Sequence, residues 1–593
     1  MKVKNIFRTV AVAAVGVMTM TSCNDFLTIY PTDKTIGEDF WKTKSDVDNM
    51  VTGAYKAMLD GDIQARAIIW GEFRSDEVAK LENIVDNDLE NISVVNLQPT
   101  NSYNNWNAFY NVINRCNIVL HHAPDVLALD PDFQQGDYDE VRAQMLALRS
   151  LAYFYLVRTF RDVPYTTEAY EGDEQEMLVA QSTPDSVLQR CIEDLTEAEK
   201  YIMHSGAYGR GDWRNKGYFT RDAVWALLSD IYLWRGSMHK SQADYEQAVR
   251  YADLVIDSKD AYYKANNRNN ISVGDESDIY HLQRGSNAFS SIFVSGNSDE
   301  SILEWQYDGA NTSNVTLENY YFKLGSSNTN SRLMATKLFA STDANANREN
   351  GNSVYMSQKD RRYWNNCYSV GSADLAQLSI RKMVTNSFSD QSEERNSSGA
   401  HVADSKTNNN RNYDNFDQNW IVYRLTDVML MKAEAEVQLA QSDTDRIHLR
   451  QAFQLVKAVN DRSMDYSSFV NGDSLTFNAY NTKAALELLV LAERQRELCF
   501  EGKRWFDLVR YSYRHMDGVE PNVLMADRTA WPALYDKMLN FVTRKYESGG
   551  DAILYKMKSE PYLYFPIREA ETKVNTLLKQ NPVYSEDETI SKQ

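Results

Sequence analysis

Apolar side chains recur at steps of three and four residues along this chain, and most of the stretches that carry them come in neighbouring pairs. Such spacing places apolar groups on one face of an α-helix. Helix pairs joined by short loops bury these faces only against other pairs. The pattern therefore predicts a mainly α fold with tetratricopeptide-like helix pairs. The stretches are residues 103–121, 139–160, 187–198, 223–231, 245–256, 425–437 and 452–459. Thr183 is the predicted N-cap, and Pro184 the predicted first residue, of the helix that contains residues 187–198.

A long segment without helical periodicity, from about residue 258 to residue 419, separates the earlier helices from the last pair. It is rich in Asn, Ser, Tyr and Gly. Connections of this length are usually functional loops or disordered linkers, and the many aromatic residues argue against simple disorder. We predict a loop-rich insertion with minor β structure, across which the separated helix pairs pack together.

The N-terminus has the layout of a secretory signal. Lys2, Lys4 and Arg8 precede an apolar run over residues 10–20, which is too short for a stable transmembrane anchor. Cys23 follows a small residue, as at the cleavage site of a bacterial lipoprotein, which it resembles. We predict a signal peptide over residues 1–22, acyl chains on Cys23 and a tether over residues 23–42. A cleaved signal with a cysteine placed there by chance is the alternative.

Charge and cysteine content exclude several classes of function. The net charge of −20 disfavours nonspecific nucleic-acid binding and favours a neutral or cationic ligand, or a protein partner. The cysteines after Cys23 are few and form no CxxC motif, so neither a disulfide framework nor a zinc site is expected. The chain has no GxSxG, Walker or convincing dinucleotide-binding motif. We expect no metal and no cofactor. Buried thiols are predicted at Cys116, Cys191 and Cys499.

Acidic and basic residues alternate with apolar ones over residues 493–511. An acid–base pair for glycoside hydrolysis is one interpretation. Arginine forks and carboxylates set among Leu498, Phe500 and Trp505 fit a partly buried structural network better. We therefore predict that these charges hold the fold together.

Short motifs run in order along nearly the whole chain. The most specific is the segment of residues 493–511, with Arg496-Glu497-Leu498, Phe500-Glu501-Gly502 and Arg504-Trp505-Phe506-Asp507-Leu508. The other motifs are Cys23-Asn24-Asp25-Phe26-Leu27, Phe40-Trp41, Gly53-Ala54-Tyr55, Arg115-Cys116-Asn117, Ala152-Tyr153-Phe154, Asp162-Val163-Pro164, Thr220-Arg221-Asp222-Ala223, Glu300-Ser301-Ile302, Arg424-Leu425-Thr426-Asp427-Val428, Lys432-Ala433-Glu434-Ala435, Phe565-Pro566-Ile567 and Asn581-Pro582. In this order along the chain, the motifs resemble those of the SusD/RagB family.

The resemblance implies one SusD-like domain over residues 43–593. Its helical repeats would cover about 43–257 and 420–465, and its C-terminal family part about 300–593. It implies a lipid-anchored outer-membrane protein at the cell surface that captures an oligosaccharide and delivers it, without catalysis, to a SusC-like TonB-dependent transporter. A peptide-binding lipoprotein of the RagB branch is the alternative, and a surface glycosidase is a weaker one.

Family members hold ligand with aromatic platforms and polar groups on loops outside the repeats. Ring faces stack on sugar rings, and Arg, Asp and Asn bond to hydroxyls. Two loop regions of this chain fit that description, although a packing role is the alternative for each aromatic residue. The predicted binding residues are Trp70, Arg74, Asp76, Tyr103 and Asn104 in the first region, and Tyr307, Tyr320, Tyr321, Arg362, Tyr363, Trp364 and Tyr413 in the second.

Overall fold

The computed structural model describes residues 40–585, except residues 83, 173–177, 267–277, 284, 322–330, 370–377, 388–408, 411–415 and 465–473. The helices are α1 (Lys44–Ala57), α2 (Gly61–Ile68), α3 (Asn87–Ser93), α4 (Asn107–Leu129), α5 (Gln135–Phe160), α6 (Pro184–Ala198), α7 (Arg214–Gly217), α8 (Arg221–His239), α9 (Gln242–Asn266), α10 (Gly285–Phe289), α11 (Val315–Tyr321), α12 (Arg361–Asn365), α13 (Leu425–Leu439), α14 (Arg446–Ser463), α15 (Lys483–Leu498), α16 (Arg504–His515), α17 (Asp536–Thr543), α18 (Gly550–Lys556) and α19 (Glu569–Val574).

The long helices pack against one another and dominate the structure, which confirms the prediction of a mainly α fold. Helix α4 packs on α5, α8 on α9, and α13 on α14. Helix α9 also packs along α13, so the second and third pairs meet although the insertion separates them in sequence. Burial of each apolar stripe against a neighbouring pair is the reason that the pairs assemble.

Helix α6 begins where its sequence predicts. The Thr183 hydroxyl accepts a hydrogen bond from the backbone N–H of Ser186, 3.3 Å away, which satisfies an N–H that has no partner inside the helix. Pro184 takes the first helical position, where its missing N–H is not needed. Val187, Cys191 and Leu195 then face the core.

Short strands accompany the helices. Strand β4, inside the insertion, pairs antiparallel with β10, which directly follows the insertion. Strands β1, β5, β7 and β6 form a four-stranded sheet in that order. Helix α9 continues to Asn266, past the expected start of the insertion at residue 258. The strands are β1 (Val78–Lys80), β2 (Val163–Pro164), β3 (Gln181–Ser182), β4 (Ser301–Trp305), β5 (Leu333–Ala335), β6 (Cys367–Ser369), β7 (Leu378–Ile380), β8 (Thr385–Ser387), β9 (Asn409–Asn410) and β10 (Trp420–Arg424).

A buried network of charges joins α15 to the insertion and to β10. The Glu497 carboxylate accepts hydrogen bonds from Arg362 at 2.9 Å, from Arg424 at 2.6 Å and from Arg462. All four side chains are buried. Burial acts to raise the pKa of Glu497, but the three guanidinium groups outweigh it and hold that pKa well below its usual range. The charges of residues 493–511 therefore sit in the partly buried structural network that the sequence predicts.

The described cysteines are buried thiols, as predicted for Cys116, Cys191 and Cys499; Cys367 is buried as well. Burial raises the pKa of Cys116 to about 12, so its thiol stays protonated at neutral pH. Within the described ranges, no helix combines the length and the apolar character needed to cross a bilayer.

Candidate ligand-binding site

Trp70 lies in the core. Its side chain is completely buried, stacks on Phe109 with ring centroids 5.1 Å apart and donates its indole N–H to the carbonyl oxygen of Tyr103 at 2.9 Å. The ring has no open face for a sugar. Its predicted binding role is therefore corrected to packing.

The polar residues predicted in the first region are also buried and occupied. The Arg74 guanidinium lies over the ring of Trp505 and donates to the Leu563 carbonyl oxygen at 2.8 Å. Burial lowers the pKa of Arg74 to about 10. Asp76 pairs with Arg504 at 2.9 Å. Asn104 donates to the carbonyl oxygen of Gln98 at 2.8 Å. These three residues connect core elements and offer no surface to a ligand.

The two predicted regions meet inside the protein. The Tyr320 hydroxyl donates to the Tyr103 hydroxyl at 3.0 Å, which in turn donates to Asp86 at 3.0 Å. Burial raises the pKa of both tyrosines. Both rings are buried, so this contact joins the regions by packing and does not form an open platform.

The remaining predicted residues of the insertion are spread over several places. Tyr321 is completely buried, and Arg362 belongs to the charge network with Glu497, so packing also accounts for these two. Tyr363 and Trp364 are half-buried, with ring centroids 4.4 Å apart in an edge-to-face contact. Tyr413 and Cys23 lie outside the described residues.

A cavity of about 560 Å³ opens between α1, α5, the segment before α8 and the segment after β4. Of the described residues that were predicted to bind ligand, Tyr307 alone lines it. We call it the aromatic cavity, because six of its lining side chains are aromatic. Its lining residues are Thr52, Tyr55, Lys56, Met58, Leu59, Leu148, Leu151, Trp213, Gly217, Tyr218, Phe219, Leu303, Trp305, Gln306, Tyr307, Asp308 and Thr312.

Three rings form a platform at this cavity. Tyr55 and Tyr218 are stacked, with centroids 4.3 Å apart and planes 17° from parallel. The Trp213 ring meets Tyr218 edge to face, with centroids 5.5 Å apart. Trp213 is 49% exposed, which is unusual for a residue of this size and leaves a large ring surface open to solvent.

Hydrogen bonds fix the platform in place. The Tyr55 hydroxyl donates to the Gln144 side-chain oxygen and accepts from the backbone N–H of Phe219 at 3.0 Å. Burial raises the pKa of Tyr55 well above its ordinary value, so the hydroxyl stays protonated. The Thr52 hydroxyl lies 3.3 Å from the Tyr218 hydroxyl. The ring positions are therefore set before any ligand arrives.

The absence of a side chain at Gly217 leaves the space that the Trp213 ring occupies. A Cβ atom built at this position would lie 2.7 Å from the Trp213 ring and 2.6 Å from the Cγ atom of Gln306. Contacts this short are essentially never tolerated, so only glycine lets the Trp213 loop approach the segment that follows β4 this closely.

Residues of charged type are sparse among the lining residues, where Lys56 and Asp308 are the only ones. The Asp308 carboxylate accepts from the Asn311 side chain at 2.7 Å and from the backbone N–H groups of Asn311 and Thr312. These bonds lower the pKa of Asp308 to about 2. The arrangement suits stacking and neutral hydrogen bonding. It provides no carboxyl group of raised pKa.

The sequence interpretation overlooked Trp213, Tyr218 and Tyr55. Trp213 lies in a glycine-rich polar stretch, residues 205–217, which has no helical periodicity. A large aromatic residue in such a loop is a candidate for exposure, and this was the available signal. Tyr55 gave none, since it follows the helical spacing of α1 like a packing residue.

Two family models match separate parts of the chain. The model described as "SusD family" matches residues 299–584, and the model described as "Starch-binding associating with outer membrane" matches residues 25–233. The chain belongs to the SusD family. The two matches together span most of the residues from the predicted tether to the C-terminal segment.

One curated relative and two solved structures match this SusD family member over most of its length. A SusD-like protein of Formosa agariphila is 26% identical over 555 residues, which cover 91% of this chain and 98% of the relative. A SusD superfamily structure from Bacteroides vulgatus has a TM-score of 0.61 at 19% identity and covers 92% of this chain and 100% of its own. A structure titled laminarin-binding SusD-like protein has a TM-score of 0.58 at 19% identity, with coverages of 92% and 100%.

Proposed function

We propose that this SusD family protein captures an oligosaccharide in the aromatic cavity without altering it. The observation that carries the proposal is the half-exposed Trp213 ring beside the stacked Tyr55 and Tyr218 rings. Flat aromatic faces attract the apolar faces of sugar rings. The structural neighbour titled as laminarin-binding supports a glycan as the ligand class.

The volume and the polar rim of the cavity fit a short stretch of sugar chain. A volume of about 560 Å³ lies in the range typical of small-molecule sites. Thr52 and Gln306 supply neutral polar groups for sugar hydroxyls around the rings. The buried Tyr307 hydroxyl donates to Gln64 at 3.3 Å, so Tyr307 contributes ring surface. The sequence prediction that Tyr307 contacts ligand is kept in this proposal.

Binding without catalysis agrees with the carboxylates of the cavity. Glycoside hydrolysis ordinarily needs two carboxyl groups, one of which has a raised pKa and acts as the acid. Asp308 is the one carboxylate among the lining residues, and its pKa is lowered to about 2. A peptide ligand, as in the RagB branch, is the alternative that the experiment below separates.

We further propose that acylated Cys23 anchors the protein to the outer membrane, on its outer face, and that a SusC-like TonB-dependent transporter receives the captured glycan. The family model's description, which names association with the outer membrane, supports the location. Family membership supports the transporter. Co-purification of this protein with such a transporter from native membranes would test the partnership.

The ligand class is tested by calorimetry with a panel of β-glucans, α-glucans and sialylated oligosaccharides, and with peptides of mixed sequence as the comparison. We expect saturable binding of at least one glycan, with no shortened product after prolonged incubation. Binding of peptides alone would overturn the proposed ligand class. Release of shorter glycans would show an enzyme.

A further inference from the structure

A second cavity, of about 410 Å³, opens along α4 and shares no lining residue with the aromatic cavity. Helix α4 contributes a row of asparagines to it, and the C-terminal helix α19 and the residues after it close the opposite side. We call it the asparagine groove. Its lining includes Trp106, Asn107, Tyr110, Asn111, Val574 and Leu578.

Two asparagines at one end of this row already bind the backbone of residues 166–170. The Asn114 side chain donates to the carbonyl oxygen of Tyr170 at 2.7 Å and accepts from the backbone N–H of the same residue at 2.8 Å. Asn117 donates to the carbonyl oxygens of Thr166 and Glu168. A carboxamide can satisfy a peptide N–H and a peptide C=O together, and Asn114 does so.

Asn107 and Asn111 continue the row toward the start of α4, where they are exposed at the groove. Among the described residues, the Asn107 carboxamide has no hydrogen-bond partner, and Asn111 only accepts from Arg115 at 3.2 Å. Apolar groups flank them. Val574 is 77% exposed, and Tyr110 and Leu578 are half-buried. The groove therefore offers the same carboxamide groups that bind the backbone of residues 166–170. At Asn107 and Asn111, no backbone of the described residues is bound to these groups.

The beginning of the described chain lies on the same helix. The Trp41 ring stacks on His122 of α4, with centroids 4.7 Å apart. His122 and Asn111 are eleven residues apart, which places them about 20° apart around the helix and about 16 Å apart along it. Arg115 and Ile118, on the stripe between them, are partly exposed. A chain that precedes Trp41 can follow this stripe to the groove.

The segment before Phe40 has the composition that the groove fits. Phe26, Leu27, Ile29 and Tyr30 form an apolar cluster, and nine residues, 31–39, separate the cluster from the described chain. Nine extended residues span about 30 Å, which exceeds the distance to Asn111. The cluster can therefore reach the groove while Trp41 stays on His122.

We propose that residues 24–39 of this chain dock along α4, with the side chains of residues 26–30 in the asparagine groove and their backbone bonded to Asn107 and Asn111. The consequence is that residue 23, and any lipid on it, leaves the protein beside this face. The tether then orients the body of the protein instead of acting as a free linker. This inference does not depend on glycan binding.

The test uses the mature chain from residue 23 onward, with Cys23→Ser. Hydrogen exchange of the amides of residues 24–39 should be slowed, and Asn107→Ala with Asn111→Ala should speed it at least fivefold. Asn540→Ala, at an exposed asparagine of α17, should leave it unchanged. Exchange at the rate of an unfolded peptide, or protection that the double variant does not change, would overturn the proposal.

A disulfide test gives a second readout, in which only one of the two asparagines is replaced. Because the four native cysteines of the described chain are buried, Leu27→Cys with Asn111→Cys should form the one readily accessible pair. We expect this pair to oxidise at least ten times faster than Leu27→Cys with Asn540→Cys. Equal rates would overturn the proposed docking. Protection that moves to residues 586–593 would assign the groove to the C-terminal segment instead.

Discussion

The ring of Tyr55 stacks on the ring of Tyr218, with centroids 4.3 Å apart, and so joins helix α1 to the loop that carries Trp213. The contact connects residues 163 positions apart in sequence. It gives the exposed Trp213 ring a rigid support, since Tyr218 meets Trp213 edge to face. Support of this kind lowers the entropy that the platform loses on binding.

We predict that Gly217→Ala weakens glycan binding more than it destabilises the fold. The added Cβ would meet the Trp213 ring at 2.7 Å and would displace it from the platform. The loop is at the surface, so the free energy of unfolding should fall by only about 1 kcal/mol. Calorimetry and thermal denaturation of the same sample measure both effects. Gly172→Ala, at an exposed glycine with no atom near its Cβ and no positive φ, is the comparison for the loss of a glycine alone.

We predict that Glu497→Gln destabilises the protein by about 3–5 kcal/mol, because it leaves three buried guanidinium groups with less compensating charge. Asp517→Asn, which removes the fully exposed partner of Lys240, should destabilise the protein far less, because solvent screens this pair. Chemical denaturation of the two variants gives the comparison. Similar losses would contradict the structural role of the network.

Glu72 and Glu77 make stability depend on pH. Glu72 accepts from the backbone N–H of Gly502 at 2.7 Å, and Glu77 accepts from that of Phe500 at 3.2 Å. Burial raises the pKa of Glu72 to about 7 and raises the pKa of Glu77, which the Glu72 charge raises further. The folded state therefore holds protons that the unfolded state releases. The stabilisation is complete below about pH 4.5 and is lost as pH rises through about 7.

Glu77→Gln isolates this effect, because it removes one charge of the pair and keeps its shape. The Tm of the variant relative to the unchanged protein should rise between pH 5.5 and pH 8.5, by an amount equivalent to about 1–3 kcal/mol. A Tm difference that stays constant over this range, or one that falls, would show that the two carboxyl groups do not share a proton.

We predict that Cys23→Ala releases the processed protein from membranes, since acyl chains supply the anchoring free energy. Fractionation of cells that produce each form measures this directly. A Cys23→Ala protein that remains in the membrane fraction through its own N-terminus would contradict lipid anchoring. Protease treatment of intact cells then reports which face of the outer membrane carries the unchanged protein.

The sequence was a good guide to the helices and a poor guide to the site. Helical periodicity is local, so Thr183 and Pro184 predicted the start of α6 correctly. Exposure of a loop aromatic is not local, because it depends on which distant segments cover it. Trp70 is covered by Phe109 and Phe160, whereas Trp213 is left half-open. Local sequence composition therefore does not distinguish the buried tryptophan from the exposed one.

The most direct test of the proposed site is the dissociation constant of Trp213→Ala for the glycan that the panel identifies. We expect a loss of about tenfold or more, within the range of about 1–3 kcal/mol that a well-used aromatic contact contributes. Tyr201→Ala, at a residue of similar exposure, and Trp364→Ala, on the other predicted surface, should bind like the unchanged protein. Unchanged affinity in Trp213→Ala, or a tenfold loss in Trp364→Ala alone, would contradict the aromatic cavity as the binding site.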